Sequence, residues 1–199
     1  VQPRGFGDPV QKLFSFNDGE RVIAALCLDP SDSDLRSAES ETAPPLHLLL
    51  GTSEGRGYRL SLESFCEAST RAGRRYARPS SGEEVVQVLT CRGSEALMCV
   101  SKAGRALLYA VEEVSYLNGA SKGVTLIKLE EGDRLLAIKL CSDDNDGLTV
   151  QRSDGGKVIA LTAGSVPLTS RGGKGKEMIK RGQLIVVNEE RNGNNDESV

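Results

Sequence analysis

The sequence predicts an all-β chain built from radially repeated units of about four strands each. Three features carry that expectation: a glycine-rich, aromatic-poor composition, a Gly turn recurring at a near-fixed interval, and a strand–turn–strand pattern in the same register. Glycine occupies 22 of 199 positions, aromatic residues make up 4 % and Trp is absent. That balance suits tight turns and short strands better than long helices. The length allows a real hydrophobic core.

The Gly turns come first. Asp18–Ala24, Ser81–Val88, Glu131–Ile138 and Arg181–Val187 each place a Gly in a polar turn before a β-branched or aliphatic run. The glycines Gly19, Gly82, Gly132 and Gly182 are separated by 63, 50 and 50 residues. A period of this size is the mark of a repeat architecture. The longer first interval carries an acidic, Pro-containing insert, residues 31–45, whose low hydrophobicity predicts a mobile loop.

The hairpins share that register. Leu48–Leu60, Ala96–Leu108 and Leu148–Leu161 each set two apolar runs around a polar turn holding Gly and a basic residue, which is hairpin chemistry. Leu60–Thr70 is the stretch where a turn or two of helix is hardest to exclude. About four strands in about 50 residues is the size of a propeller-type blade. A β-sandwich would hold the same strands but would not predict so regular a period.

Composition narrows the function classes. No apolar run approaches the roughly 20 residues needed to span a bilayer, and no signal-peptide pattern opens the chain. The five cysteines, Cys27, Cys66, Cys91, Cys99 and Cys141, are scattered without a Cys-x-x-Cys; they read as reduced core residues of a cytoplasmic protein. Net charge is −3, but the signs are segregated. Acids gather in Asp29–Glu41, in Asp143–Asp146 and from Glu189 onward, whereas bases gather in Arg71–Arg78 and Arg171–Arg181. One basic face is the expectation.

Between each hairpin and the next Gly turn lies a Gly-rich basic loop. Thr169–Lys176 is the clearest, with equivalents at Thr70–Arg75 and Asn118–Gly123 and a worn version at Pro3–Asp8. Arg171-Gly172-Gly173-Lys174-Gly175 matches five of the seven residues of the gyrase A box, Gln-Arg-Arg-Gly-Gly-Lys-Gly, with Thr169-Ser170 in place of its leading Gln-Arg. Gly104–Leu107, Gly123–Leu129 and Glu131–Leu135 also look like blade sequences of this family. The chain therefore resembles the C-terminal domain of bacterial type IIA topoisomerase A subunits over nearly its whole length, the insert and the tail excepted.

The resemblance implies a β-pinwheel, a propeller-like disc of roughly four blades of about four strands, with strand exchange between blades. It would span residues 1–188 and be followed by a disordered acidic tail, 189–199, that competes with DNA for the basic rim. Its partner would be double-stranded DNA, beside the N-terminal part of the same polypeptide and the ATPase B subunit, with no membrane. It would be non-catalytic and without cofactor, ATP and Mg belonging to the holoenzyme, in the bacterial cytoplasm at the nucleoid. The worn first box and the better last one look closer to topoisomerase IV, steering DNA for decatenation and relaxation, than to gyrase, wrapping it for negative supercoiling.

Residue chemistry ranks the DNA contacts. Lys and Arg neutralise phosphates and release counterions, and consecutive glycines let backbone amides approach phosphate oxygens. Arg171, Lys174 and Lys176 come first; Arg71, Arg74, Arg75 and Arg78 next; then Lys122; and Arg56, Arg59 and Arg105 as hairpin-turn candidates. Arg75 and Arg78 have a rival role as ion-pair partners of Glu83 or Glu84. His47, the only histidine, reads as a strand-edge residue. Tyr58, Tyr76, Tyr109 and Tyr116 read as packing residues rather than a cleavage nucleophile. Asp143–Gly147 reads as a turn, because no bidentate Glu follows at calcium-loop spacing. A propeller-like protein-interaction platform is the alternative function; no nucleophile, base and orienter set suggests an enzyme.

Overall fold

A computed structural model of the chain describes residues 9, 12, 16, 18–26, 46–62, 65, 67, 69–70 and 73–187. The insert 31–45, the tail 189–199, the first basic loop at residues 3–8, Arg71, Cys27 and Cys66 lie outside the described residues. In chain order the strands are β1 (His47–Thr52), β2 (Arg56–Ser61), β3 (Val85–Cys91), β4 (Ala96–Ser101), β5 (Arg105–Ala110), β6 (Tyr116–Leu117) and β7 (Val124–Thr125). They continue with β8 (Leu135–Cys141), β9 (Gly147–Arg152), β10 (Ile159–Thr162), β11 (Lys176–Glu177) and β12 (Leu184–Val186). Two single-turn 3-10 segments, Val111–Glu113 and Ala163–Ser165, follow β5 and β10. No α-helix appears in the described part of Leu60–Thr70.

Each expected hairpin forms, as β1–β2, β4–β5 and β9–β10, all antiparallel. The strand after each Gly turn pairs backwards, with the first strand of the preceding hairpin: β3 with β1, β8 with β4, β12 with β9. The short strand that leaves the basic loop also reaches back, β7 onto β2 and β11 onto β5. Every sheet is thus assembled from two consecutive repeats, which is the expected strand exchange. Among the described residues the four Gly turns yield three sheets. The strands that follow Gly82, Gly132 and Gly182 each join the hairpin before them. The turn at Asp18–Gly19 forms, but residues 20–26 pair with no strand among the described residues.

Alternation along the strands explains why the sheets stack. Successive side chains of a strand point to opposite faces. In β4, Leu97 and Cys99 enter one core with Leu49, Leu107, Tyr109, Leu126 and Ile138. Met98 and Val100 enter another with Leu108, Val150, Leu161 and Leu184. The middle sheet is buried on both faces, so β4 reads as an unbroken apolar run rather than an alternating one. In β1, Leu49 joins the first of these cores while Leu48 and Leu50 face a third with Tyr58 and Leu60.

The acid after each middle Gly turn is a buried brace. Glu83 accepts hydrogen bonds from the Thr52 hydroxyl and the Ser80 amide. Asp133 Oδ1 accepts from the amides of Ala103 and Arg134. Both carboxylates tie a Gly turn to the hairpin turn of the preceding repeat. Sequence reading had left Glu83 on the surface as an ion-pair partner.

Cys91, Cys99 and Cys141 are free and buried. Burial pushes the first two thiols up to about 12 and the third to about 11, from an ordinary 9.0. The folded chain then keeps protons that the unfolded chain releases. The stability tied to these thiols is complete below pH 9 and is lost as pH rises towards 12. The urea midpoint should therefore fall through that alkaline window. An alkaline slope unchanged in Cys99→Ala would overturn the attribution.

Candidate nucleic-acid interface

The three basic loops that can be compared share one backbone landmark. Gly73, Gly123 and Gly175 have φ of 70, 78 and 73°, a left-handed conformation that a side chain resists. Each precedes the stretch that runs to the next Gly turn. A Cβ at Gly123 would lie 2.6 Å from the Gly57 carbonyl oxygen, and one at Gly175 2.6 Å from that of Ala106. Gly57 and Ala106 occupy matching places on β2 and β5, so the two loops are seated alike.

Counting from these glycines aligns the cations. One residue before lie Lys122 and Lys174; one after lie Arg74 and Lys176; five after lie Arg78, Lys128 and Lys180. The structure links consecutive loops through the same bond. The Arg78 amide donates to the Ser121 carbonyl at 3.1 Å, and the Lys128 amide donates to the Gly173 carbonyl at 2.9 Å. Ser121 and Gly173 are the neighbours of Lys122 and Lys174. Each blade junction therefore joins a cation from one loop's exit to a cation of the next loop: Arg78 with Lys122, then Lys128 with Lys174.

The first junction is pinned by Tyr58. Its buried hydroxyl donates to the Tyr76 carbonyl and accepts from the Ser121 amide, the latter at 3.0 Å. Burial raises the Tyr58 pKa, and the Ser121 amide opposes that shift. At the second junction, Gly172 donates to the Leu126 carbonyl at 3.1 Å. Backbone bonds thus link the exit of each loop to the loop of the next repeat.

Four of the expected contact residues are occupied in holding these loops. Arg56 donates to the Gly123 carbonyl at 3.2 Å, and Arg105 to that of Gly175 at 3.4 Å. Arg59 donates to the carbonyls of Val114 and Glu112 and lies 5.9 Å from the Tyr116 ring centroid. Arg171 donates from its side chain to the Glu113 and Thr125 carbonyls at 2.8 and 2.6 Å, while its amide donates to Glu113 Oε2. Arg171 and Arg59 grip the same 3-10 turn from two sides. The guanidinium groups of these four arginines, all expected phosphate contacts, donate to backbone carbonyls, a role their rigid fork suits.

The remaining expected residues face solvent. Arg74, Arg75, Arg78, Lys122, Lys174 and Lys176 are exposed. Lys176 donates to the Ser165 carbonyl at 3.1 Å, and Lys174 lies 3.4 Å from Glu130. The rival pairing of Arg75 or Arg78 does not form: Glu83 is a brace, and Glu84 pairs with Arg21 at 2.9 Å. Lys128 and Lys180, also exposed, stand beyond the Gly-rich loops, Lys128 between the apolar Ile127 and Leu129 and Lys180 beside Arg181. Their fixed offset from the left-handed Gly was the available signal.

The other candidates have structural places. His47 is buried and meets the Tyr116 ring edge-on at 5.3 Å. Asp143 and Asp146 accept amides of their own turn, which lowers the Asp146 pKa. Among the described residues no group of three or more His, Cys, Asp or Glu could hold a metal.

This architecture defines a strand-exchanged propeller-like domain whose repeated loops carry exposed Lys and Arg side chains. The family model for the DNA gyrase C-terminal domain, beta-propeller, matches residues 46–92, 95–142 and 153–184, more than half of the chain, and the chain belongs to that family. It is 25 % identical over 183 residues to the DNA gyrase A subunit of Escherichia coli, covering 90 % of the chain and 19 % of that protein. It is 28 % identical over 186 residues to its Helicobacter pylori counterpart, covering 91 % and 21 %. The chain thus spans about a fifth of the length of these relatives. Two solved structures share the fold. The C-terminal domain of DNA topoisomerase IV superposes with a TM-score of 0.74 at 18 % identity, over 92 % of the chain and 55 % of that domain. The DNA gyrase A C-terminal domain gives 0.67 at 23 %, over 92 % and 59 %.

Tyr58→Phe should destabilise the domain by about 1–3 kcal/mol, since it removes a buried hydroxyl and strands its two backbone partners. Urea denaturation measures this. An unchanged midpoint would show that the Tyr58 hydroxyl does not pin the first junction.

Proposed function

We propose that this chain is a non-catalytic module of a type IIA topoisomerase A subunit that binds double-stranded DNA along its rim and bends it. One observation carries the reading: the same backbone bond recurs at both blade junctions and sets exposed cations at the same offsets. Arg74, Arg75, Arg78, Lys122, Lys128, Lys174 and Lys176 are the proposed phosphate contacts. Arg56, Arg59, Arg105 and Arg171 are positioning residues that hold the loops. Arg71 joins the contacts on the sequence pattern alone.

Such contacts neutralise phosphates without reading bases, so binding is sequence-independent and salt-sensitive. Contacts placed on successive blades follow a curve. Bending a 20–30 bp site costs roughly 1–6 kcal/mol by elastic estimates, which several phosphate contacts together offset. The N-terminal part of the A subunit would supply cleavage, the ATPase B subunit would supply ATP use, and the bacterial nucleoid would be the working place. The acidic tail 189–199 would compete with DNA for the rim. We assign the domain to moderate bending for decatenation and relaxation, on the ground that the first basic loop is worn and the last is the most complete. The gyrase A relatives favour the alternative, full wrapping for negative supercoiling. Assaying the holoenzyme for ATP-dependent supercoiling against decatenation separates the two.

A titration of linear duplex across salt concentrations tests DNA binding. The wild-type chain should bind at low salt with a steep log–log slope. Lys122→Ala with Lys174→Ala should make the slope shallower by about 0.9 for each phosphate no longer neutralised. Absence of binding at the lowest salt would sink the proposal and favour a protein-interaction platform.

A further inference from the structure

The two blade junctions are built alike but carry different charges. Counting from the left-handed glycines, Ser80 and Glu130 hold equivalent positions, seven residues after Gly73 and Gly123. Glu130 Oε1 lies 3.4 Å from the Lys174 ammonium and 3.5 Å from the Arg105 guanidinium. One exposed carboxylate thereby serves two cations of the second junction. At the first junction Ser80 replaces it, and neither Lys122 nor Arg56, the counterparts of Lys174 and Arg105, has an ion pair among the described residues. The next repeat is shorter between its loop glycine, Gly175, and its Gly turn, and has no counterpart of Glu130: Lys180 is followed directly by Arg181.

We infer that Glu130 is an affinity-setting residue, a built-in competitor that holds Lys174 against a phosphate backbone and makes the second junction the weaker of the two. This rests on the DNA-binding reading above. An exposed ion pair is weak and screened by salt, so duplex DNA can displace Glu130 from Lys174. Displacement still leaves a carboxylate beside the phosphates. The occupied rim therefore gains less from Lys174 than from Lys122.

The test converts one junction into the other. Glu130→Ser copies the first junction, and Ser80→Glu copies the second. With linear duplex DNA, Glu130→Ser should tighten low-salt binding several-fold and steepen the salt slope by up to about 0.9, the value for one further neutralised phosphate. Lys174→Ala in the Glu130→Ser background should remove that gain, and Ser80→Glu should weaken binding. Glu131→Ser changes the charge equally beside the same turn, without a partner ion among the described residues, and should give a smaller gain. Far-UV circular dichroism confirms that each variant is folded. An equal gain in Glu131→Ser, or none in Glu130→Ser, would overturn the role of Glu130. A wild-type chain that fails to bind at all would instead overturn the DNA-binding reading itself.

Discussion

At Gly123 and Gly175 the loop backbone runs so close to the outer strand of the preceding hairpin that a Cβ would stand 2.6 Å from a carbonyl oxygen. Only glycine combines that approach with a left-handed φ. From this seat the chain leaves as β7 or β11 and closes one sheet, then turns at the next Gly and enters another. Strand exchange between blades is therefore a consequence of loop placement. Because each loop is fixed to the hairpin behind it, residues at constant offsets from its glycine reappear at constant places on the rim. Arg78 and Lys128 donate through their amides to equivalent residues of the following loop for that reason.

The arginines and lysines of the rim divide the work by chemistry. A guanidinium presents several N–H groups in a flat fork and is less strongly hydrated than an ammonium. Arg59, Arg105 and Arg171 use that fork on carbonyls left without strand partners, and Arg59 and Arg171 hold Val111–Glu113 between a strand and a loop. Lys122, Lys128 and Lys174 carry a compact point charge on a long, flexible stem and stand exposed. A loop rich in arginine can thus be more structural than one rich in lysine.

Much of the architecture was legible because it depends on short, local patterns. The Gly turns at 82, 132 and 182 and the three hairpins stand where glycine, polar turn residues and β-branched runs meet. The strand exchange was expected from the family resemblance and not from local pattern, since both partners of β4, namely β5 and β8, are apolar and either neighbour would bury them. The exposure of the loop cations was half legible. Charge density pointed to Lys174 and Arg74, but density cannot separate an arginine bound to carbonyls from one facing water. Lys128 escaped because its neighbours Ile127 and Leu129 read as strand or core, and only the repeat offset gives its position meaning.

In a chain of net charge −3, several of the described acids are engaged with the backbone. Glu83 and Asp133 are buried on turn amides and a hydroxyl. Glu95 accepts the amides of Arg92 and Gly93 at 2.8 Å each. Asp143 and Asp146 close their own turn, and Glu113 takes the Arg171 amide. Carboxylates are acceptors, and a fold made of tight turns has amides to spare at each one. Ammonium groups find few such partners, because most carbonyls are paired in the sheets, so they stand outward on the loops. Glu130 differs from these acids: it is an exposed carboxylate that lies beside two cations, Lys174 and Arg105, the second of which also approaches Glu177.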